Sequence, residues 1–120
     1  MPVNNVVAFN SIPLNAGTRS ESPQEQMLSG DPASTTWPVF DSADGKVNIG
    51  FWECNPYEKI KQSPNKAEYV YLLEGDVKLT DKEGISQTFK TGEAFVIEPG
   101  FDGVWESVGK VRKHYVIYTC

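Results

Sequence analysis

Histidine is nearly absent from this chain, which carries a single one, His114, among 120 residues. Cysteine is also scarce: Cys54 and Cys120 match neither a disulfide framework nor a paired zinc motif. Transition-metal sites need several converging His, Cys, Asp or Glu ligands. The sequence therefore predicts no tightly bound metal and no cofactor. It also predicts that Cys54, within an expected strand, is buried as a small apolar residue.

Basic residues are outnumbered, with 11 Lys and Arg against 16 Asp and Glu and a net charge of −5. Nucleic acids and anionic membranes attract basic patches, so neither is expected as a partner. No apolar run approaches the ~20 residues that a membrane-spanning helix needs. The first residues also lack the basic-then-apolar pattern of a secretory signal. We therefore expect a cytoplasmic protein whose partners are small molecules or copies of itself.

The length is that of one domain. Residues 1–36 are mostly polar and rich in Ser, Asn, Pro and Gly, with at most one helical turn at Ser20–Gln26. We interpret residues 1–36 as an N-terminal arm that lies over the domain or reaches a neighbouring subunit. A loosely ordered tail is the alternative. Residues 37–120 form the expected barrel domain.

Helical periodicity is absent after Trp37, where short apolar runs alternate with turn signals. Asn55–Lys66 is polar with two prolines and is expected to be a loop, whereas Ala94–Ile97 is nearly all apolar and is expected to be buried on both faces. The pattern predicts an all-β sandwich or barrel, most simply closed as a jelly roll. Further strands are expected at Trp37–Phe40, Val47–Cys54, Glu68–Glu74, Asp76–Thr80, Ile85–Phe89, Val104–Val108 and Val111–Tyr118.

Two glycine-bounded segments, Glu68–Gly75 and Gly92–Glu106, resemble the paired motifs of the cupin superfamily. The resemblance implies a double-stranded β-helix, the jelly-roll barrel of cupins. Cupin metal sites place two histidines just upstream of the motif glutamate and one in the second motif. Those positions correspond here to Lys61–Pro64 and to Gly103, so the glycine corners are kept without the histidine ligands.

The residues of both motifs, together with Trp52-Glu53 and Val111–Tyr115, resemble those of the cupins grouped with ureidoglycine aminohydrolase and ethanolamine-utilisation proteins. The resemblance covers roughly residues 34 to 118. Ureidoglycine aminohydrolase is a manganese enzyme with histidine ligands, and this chain lacks them at the matching positions. The resemblance therefore implies a fold and a branch of the superfamily and leaves the reaction open.

Period-two alternation indicates which side chains would face the barrel interior. If Glu68 points inward as its cupin counterpart does, Val70 and Leu72 follow it. If Gly103 is inward, Trp105 is too, and glycine there leaves room for the indole or for a ligand. The expected ligand-binding residues are Trp52, Glu68, Trp105, Lys113 and Tyr115.

Glu68 has two competing interpretations. A carboxylate beside indole rings has a raised pKa and acts as a general acid or base. Alternatively, Glu68 pairs with Lys113 or Arg112 and has a structural role, and this is the interpretation we favour. Trp105 is likewise interpreted as a core aromatic residue, with a stacking wall for a planar ligand as the alternative.

Three functions remain open at this point, and the sequence does not decide whether the chain is an enzyme. The first is a metal-free cupin that binds a small metabolite in its barrel. The second is metal-independent acid–base catalysis by Glu68, as in an isomerase or a hydrolase of a small nitrogenous or sugar-like substrate. The third is a structural or interaction protein with a filled barrel. Aromatic-rich strands and the N-terminal arm also predict a homodimer.

Overall fold

Short runs of alternating side chains form antiparallel strands along most of the chain. The computed structural model describes residues 3–10, 12 and 15–120. The strands are β1 (Thr18–Glu21), β2 (Met27–Gly30), β3 (Ala33–Asp41), β4 (Val47–Cys54), β5 (Tyr57–Ser63), β6 (Lys66–Asp81), β7 (Ser86–Phe89), β8 (Ala94–Ile97) and β9 (Phe101–Thr119). Within the described ranges the helical content is one 3₁₀ turn at Gln24–Gln26, and no helix there is long and apolar enough to cross a membrane.

The long strands β6 and β9 run antiparallel, and each belongs to two sheets. Lys66–Leu72 of β6 pairs with Lys113–Thr119 of β9, whereas Asp76–Asp81 pairs with Gly103–Val108. The first sheet has the order β8-β6-β9-β4-β3-β1, and the second has the order β7-β6-β9-β5-β2. Side chains from both sheets meet in one core. This arrangement confirms the predicted all-β fold, a single jelly-roll domain of the double-stranded β-helix type.

Glycines allow β6 and β9 to turn from one sheet into the other. Gly75 in β6 and Gly109 in β9 have φ values of +81° and +79°, in the left-handed region that favours glycine. The pairing register of β6 shifts between Leu72 and Asp76, on either side of this corner. At Gly75 the strands also approach closely, because a Cβ there would collide with the carbonyl oxygen of Lys110. Position 75 therefore requires glycine for two reasons, its backbone conformation and the lack of space for a Cβ atom.

Inward-facing side chains confirm the period-two pattern predicted for β6. Glu68, Val70 and Leu72 have exposed fractions of 6%, 0% and 0%, and Trp105 of β9 is 2% exposed. Burying an aliphatic or aromatic side chain contributes about 1.5–3 kcal/mol, so Val70, Leu72 and Trp105 each help to stabilise the barrel. The rest of the buried core comprises Cys54, Tyr57, Val77, Phe95, Ile97 and Val111. The buried position predicted for Cys54 is thereby confirmed.

Two predictions about local structure are wrong. Asn55–Lys66 is not a loop, because it contains β5, which pairs with β9 on one side and with β2 on the other. Partners on both sides satisfy its backbone and override its polar composition. Ala94–Ile97 is a strand but is not buried on both faces, since Val96 is 59% exposed. Only the alternate residues Phe95 and Ile97 of β8 face the core.

The N-terminal segment lies along the edges of both sheets. β1 pairs with β3 at the edge of the first sheet, and β2 pairs with β5 at the edge of the second. Residues 18–30 therefore form a strap from one sheet to the other. Further upstream, the ring of Phe9 stacks on Phe51 at 4.6 Å between centroids and contacts His114 at 4.4 Å. The expected boundary after residue 36 falls within β3, and contact of the arm with a neighbouring subunit stays a prediction.

Candidate functional site

A cavity of about 410 Å³ lies between the two sheets and is lined by charged and aromatic side chains. All five ligand-binding residues expected from the sequence line it, namely Trp52, Glu68, Trp105, Lys113 and Tyr115. The structure thus brings the five together in what we call the barrel cavity, whereas their role in binding stays a prediction. A groove of about 640 Å³ adjoins the barrel cavity and shares Lys59 and Lys61 with it, and another of about 480 Å³ lies elsewhere, but neither contains Glu68 or Lys113.

β5 adds three residues to the barrel cavity that sequence reasoning missed. Tyr57, Lys59 and Lys61 all line the cavity, because alternate residues of a strand face the same side. The register places Lys59 opposite Trp105 of β9. Sequence reasoning assigned this segment to a loop and so did not apply alternation to it. The period-two spacing of Tyr57, Lys59 and Lys61 was the signal that could have found them.

Glu68 forms a buried ion-paired triad with two lysines. Its carboxylate oxygens lie 2.7 Å from Lys113 Nζ and 3.3 Å from Lys61 Nζ. The side chains of Glu68 and Lys113 are 8% and 7% exposed, so both charges are largely removed from water. Burial alone would raise the pKa of Glu68, but the two ammonium groups lower it to about 2. Glu68 is therefore an ionised carboxylate at neutral pH.

The hypothesis of a raised pKa at Glu68 is wrong in direction. The favoured alternative, a paired glutamate, describes the geometry, with Lys113 as one partner and Lys61 as the other. Arg112 is not a partner, because its guanidinium lies 2.7 Å from Glu53 on the outer side of the sheet. Successive residues of β9 point to opposite faces, which separates Arg112 from Lys113.

Two indole rings surround the ammonium group of Lys113. Lys113 Nζ lies 4.4 Å from the ring centroid of Trp52 and 4.6 Å from that of Trp105. The two rings meet edge to face at 6.1 Å. The Trp105 indole N–H donates a hydrogen bond to the hydroxyl of Ser107 at 2.8 Å. Trp105 therefore serves both as a core residue and as a wall of the barrel cavity. Burial lowers the pKa of Lys113, and the charge of Glu68 and cation–π attraction act against that lowering.

Lys59 differs from the other two inner lysines. Its ammonium group donates a hydrogen bond to the hydroxyl of Ser22, in the strap, at 3.1 Å. In the part of the chain that the structure describes, no carboxylate lies within ion-pair distance of Lys59. Burial lowers the pKa of Lys59, and the neighbouring charges of Lys61 and Lys113 lower it further. Lys59 thus contributes a partly buried positive charge that lacks a counter-charge among the described residues.

The barrel cavity is positively charged in an acidic protein. The lining has four lysines and two carboxylates, a formal charge of +2, whereas the whole chain carries −5. These residues are Lys59, Lys61, Lys66, Lys113, Asp41 and Glu68. Opposite charges attract more strongly where water is excluded. The arrangement therefore suits an anion.

The residues of the barrel cavity do not fit a transition metal. The described residues hold no group of three or more His, Cys, Asp and Glu side chains placed to share an ion. His114 faces away from the cavity and packs against Phe51 at 4.7 Å between ring centroids. Both oxygens of Glu68 are already paired with lysines. The absence of a tightly bound metal stays a prediction for elemental analysis.

The space expected at Gly103 is not available to a ligand. A Cβ at this position would collide with the carbonyl oxygen of Thr80 and would lie 3.0 Å from the ring of Phe101. Gly103 therefore marks a close approach of β9 to β6, where any larger side chain requires a shift of the backbone. The interpretation of this glycine as room for Trp105 or a ligand is wrong.

Comparisons with known proteins identify the family and support the fold. A family model described as the EutQ-like cupin domain matches residues 41–115. A protein of unknown function of the DUF861 family, from Pseudomonas syringae pv. tomato, is similar in structure with a TM-score of 0.76. It is 32% identical to this chain and covers 87% of it, whereas this chain spans 45% of that protein.

More distant structures share the fold at lower identity. One is a protein assigned as ethanolamine utilization protein Q from Salmonella typhimurium, with a TM-score of 0.64 and 18% identity over 82% of this chain and 78% of that one. Another is the EutQ protein of Clostridium difficile, with a TM-score of 0.64 and 17% identity over 89% of this chain and 98% of that one. No curated protein matches the chain.

Proposed function

Because the chain belongs to the family of EutQ-like cupin domains, we propose that it binds a small organic anion, such as a carboxylate metabolite, in its barrel cavity. The observation that carries this proposal is the excess of inner lysines over carboxylates. Lys61 and Lys113 share one counter-charge in Glu68, and Lys59 contacts a hydroxyl group. A bound carboxylate would supply the missing negative charge and accept charge-assisted hydrogen bonds.

Aromatic walls support an organic ligand rather than a simple inorganic ion. Trp52, Trp105, Tyr57 and Tyr115 present ring surfaces to the same cavity that holds the lysines. Small-molecule sites typically combine such apolar walls with a few converging polar groups, in volumes of about 300–1,000 Å³. The cavity of about 410 Å³ lies within that range and accommodates a small metabolite.

The two alternative functions have less support. A carboxylate with a pKa of about 2 cannot donate a proton near neutral pH, which argues against Glu68 as a general acid. A barrel filled by its own side chains is at odds with a cavity of about 410 Å³. We therefore retain binding of a small molecule as the proposal. The cytoplasmic location and the absence of nucleic-acid and membrane partners stay predictions from the sequence.

Replacing Lys59 should weaken anion binding without disturbing the Glu68 triad. Lys59→Gln should reduce the affinity for acetate or succinate by about 10–100-fold, because a hydrogen bond to a charged group contributes about 1.5–3 kcal/mol. The measurement is a thermal-shift titration of wild type and variant, since a ligand that binds the folded state raises the melting temperature. Lys90→Gln is the matched control, because the side chain of Lys90 is 71% exposed and lines neither the barrel cavity nor the adjoining groove.

Neutral analogues of the anions provide the decisive comparison. Acetamide and succinamide have similar shapes without the negative charge, so we expect them to leave the melting temperature unchanged. Equal shifts with the acids and the amides, or no shift with any anion at millimolar concentration, would contradict the proposal.

We also propose that the outer face of the first sheet pairs with a second copy of the chain. Tyr69, Tyr71, Val96 and Tyr118 are 43%, 37%, 59% and 49% exposed there. The register places Tyr69 between Val96 and β9, so these side chains form one apolar patch. Exposed patches of this kind mark interaction surfaces, and a two-fold dimer buries the same patch on both subunits.

A charge within this patch should separate the subunits. Tyr69→Lys should convert a dimer into a monomer in size-exclusion chromatography with light scattering, because each subunit would then bury an unpaired ammonium group. Ile85→Lys is the control, since Ile85 is 65% exposed in the β6–β7 turn, away from the patch. A wild-type protein that is monomeric at all concentrations would refute the dimer.

A further inference from the structure

Of the four lysines that line the barrel cavity, Lys66 is exposed and the other three are buried or half-buried; two of these three amines are already engaged. Lys113 Nζ lies 2.7 Å from Glu68 and between two indole rings, and Lys61 Nζ lies 3.3 Å from the same carboxylate. Lys59 lines the same cavity but has a serine hydroxyl as its hydrogen-bond partner. Of the three amines, Lys59 is the one whose protonated form receives no stabilisation from a direct ion pair among the described residues.

The surroundings of Lys59 lower its pKa and so increase the fraction of its neutral form. Burial removes water from the ammonium group, and the charges of Lys61 and Lys113 oppose a third positive charge nearby. The charge of Glu68 acts in the opposite direction, but it is shared by its two direct partners. A desolvated lysine beside other cations has a larger fraction of neutral amine at neutral pH, and neutral amine is the nucleophilic form.

On the basis of the function proposed above, we propose that Lys59 captures carbonyl compounds that carry a carboxylate, such as 2-oxo acids, as an imine in the barrel cavity. Two features of the geometry select this substrate class. The lysine excess attracts the carboxylate of the substrate. The amine of Lys59, which has no ion-pair partner among the described residues, faces the cavity in which the carbonyl group would lie. A neutral aldehyde or ketone would lack the first attraction, and an anion without a carbonyl group would lack the reaction.

The reaction balances without any further reagent. The nitrogen lone pair of the neutral Lys59 amine attacks the carbonyl carbon and forms a C–N bond, giving a carbinolamine. The carbinolamine then loses its oxygen as water, which carries away both amine protons, and a C=N bond remains. Protonation of the imine nitrogen gives an iminium ion, whose charge the substrate carboxylate offsets. No electron transfer is involved, and hydrolysis reverses each step.

Ser22 gives the site a positioning residue from the strap. Its hydroxyl accepts the hydrogen bond of Lys59 at 3.1 Å and so fixes the amine on one side of the cavity. Ser22 lies between β1 and the 3₁₀ turn, and its backbone N–H bonds to the carbonyl of Pro32 at 2.9 Å. The position of the amine therefore depends on a segment that is itself anchored to both sheets.

Reductive trapping tests the proposal. Wild-type protein is incubated with pyruvate and sodium cyanoborohydride, which reduces an imine to a stable amine, and the modified lysine is identified by peptide mass spectrometry. We expect modification of Lys59 to exceed that of the exposed Lys82 and Lys90, since a lowered pKa increases the fraction of neutral amine. Acetone and lactate, which lack the carboxylate and the carbonyl group respectively, should give no adduct at Lys59.

Lys59→Arg separates this proposal from anion binding. Arginine keeps the positive charge but is not nucleophilic, so the variant should bind lactate within a few-fold of wild type and give no pyruvate adduct at position 59. A thermal melt checks that the variant is folded, and the control variant Lys90→Arg, outside the barrel cavity, should keep the adduct at Lys59.

Each outcome decides one of the two proposals. Imine capture at Lys59 is overturned if Lys82 and Lys90 are modified more than Lys59, as their greater exposure alone would predict. It is also overturned if the adduct lies on Lys61 or Lys113, or if no adduct forms. If lactate binds while pyruvate is not trapped, anion binding stands alone. If lactate does not raise the melting temperature of the wild-type protein, the proposed function fails as well.

Discussion

Glu68→Gln should lower the free energy of unfolding by about 3–5 kcal/mol, the cost of leaving buried charge without its partner. Glutamine has nearly the same shape, so the loss comes from charge rather than from packing. Lys61 and Lys113 would then face each other in the barrel cavity with no carboxylate between them. Urea unfolding at pH 7, followed by circular dichroism, measures the change.

Removing the positively charged partner Lys113 instead of Glu68 provides the matched control. Lys113→Met removes a charge but leaves Glu68 paired with Lys61 at 3.3 Å, so we expect a smaller loss of about 1.5–3 kcal/mol, typical of one hydrogen bond to a charged group. The double variant Glu68→Gln/Lys113→Met should recover part of the loss seen in Glu68→Gln, because one uncompensated cation is removed. A single Lys113→Met variant less stable than Glu68→Gln would contradict this account of the triad.

The pH dependence of the same variant gives a second measurement. The pKa of Glu68 is lowered on folding from 4.5 to about 2, so the folded state holds the ionised form more strongly than the unfolded state does. The stability that ionised Glu68 adds to the folded state is fully present above pH 4.5 and is lost as the pH falls toward about 2. The difference in stability between wild type and Glu68→Gln should therefore narrow over this range. A constant difference would mean that the carboxylate charge is not responsible.

Gly75→Ala should be the other strongly destabilising substitution, by about 2–6 kcal/mol. A left-handed backbone costs a non-glycine residue about 1–3 kcal/mol, and overpacking adds about the same again. Gly75 meets both conditions, since its φ is +81° and its Cβ would collide with the carbonyl oxygen of Lys110. The loss would be measured by urea unfolding, and expression at low temperature provides material if the variant is marginal.

Gly109→Ala separates the two contributions at the same corner. Gly109 has a φ of +79° but no atom within 4 Å of its Cβ position, so only backbone strain applies. We expect a loss of about 1–3 kcal/mol for this control. Equal losses in the two variants would show that the close approach of β6 to β9 at Gly75 contributes nothing.

The sequence predicts the fold and much of the barrel lining because both depend on local alternation. Glu68, Val70 and Leu72 follow a strict period of two on a long strand with apolar neighbours. Once the first of them is placed inward, the others follow without knowledge of distant contacts. The same step from Gly103 places Trp105 inward, as observed.

Non-local contacts account for what the sequence does not reveal. β5 is a strand because β9 and β2 flank it, and nothing in the polar run Tyr57–Ser63 indicates those partners. Because β5 was expected to be a loop, Lys61 was absent from the expected partners of Glu68, whereas Lys113 was among them in the favoured interpretation. The burial of Glu68 was anticipated correctly, but the sign of the shift depends on charges from another strand.

The central position of β9 has a consequence for the way the protein is made. β9 supplies hydrogen-bond partners to β4, β5 and β6, although it follows all of them in the sequence. A growing polypeptide on the ribosome therefore holds β4 and β5 without their shared neighbour until residues 101–119 have emerged. Closure of the barrel therefore waits for residues 101–119 and depends on long-range pairing, which favours slow folding.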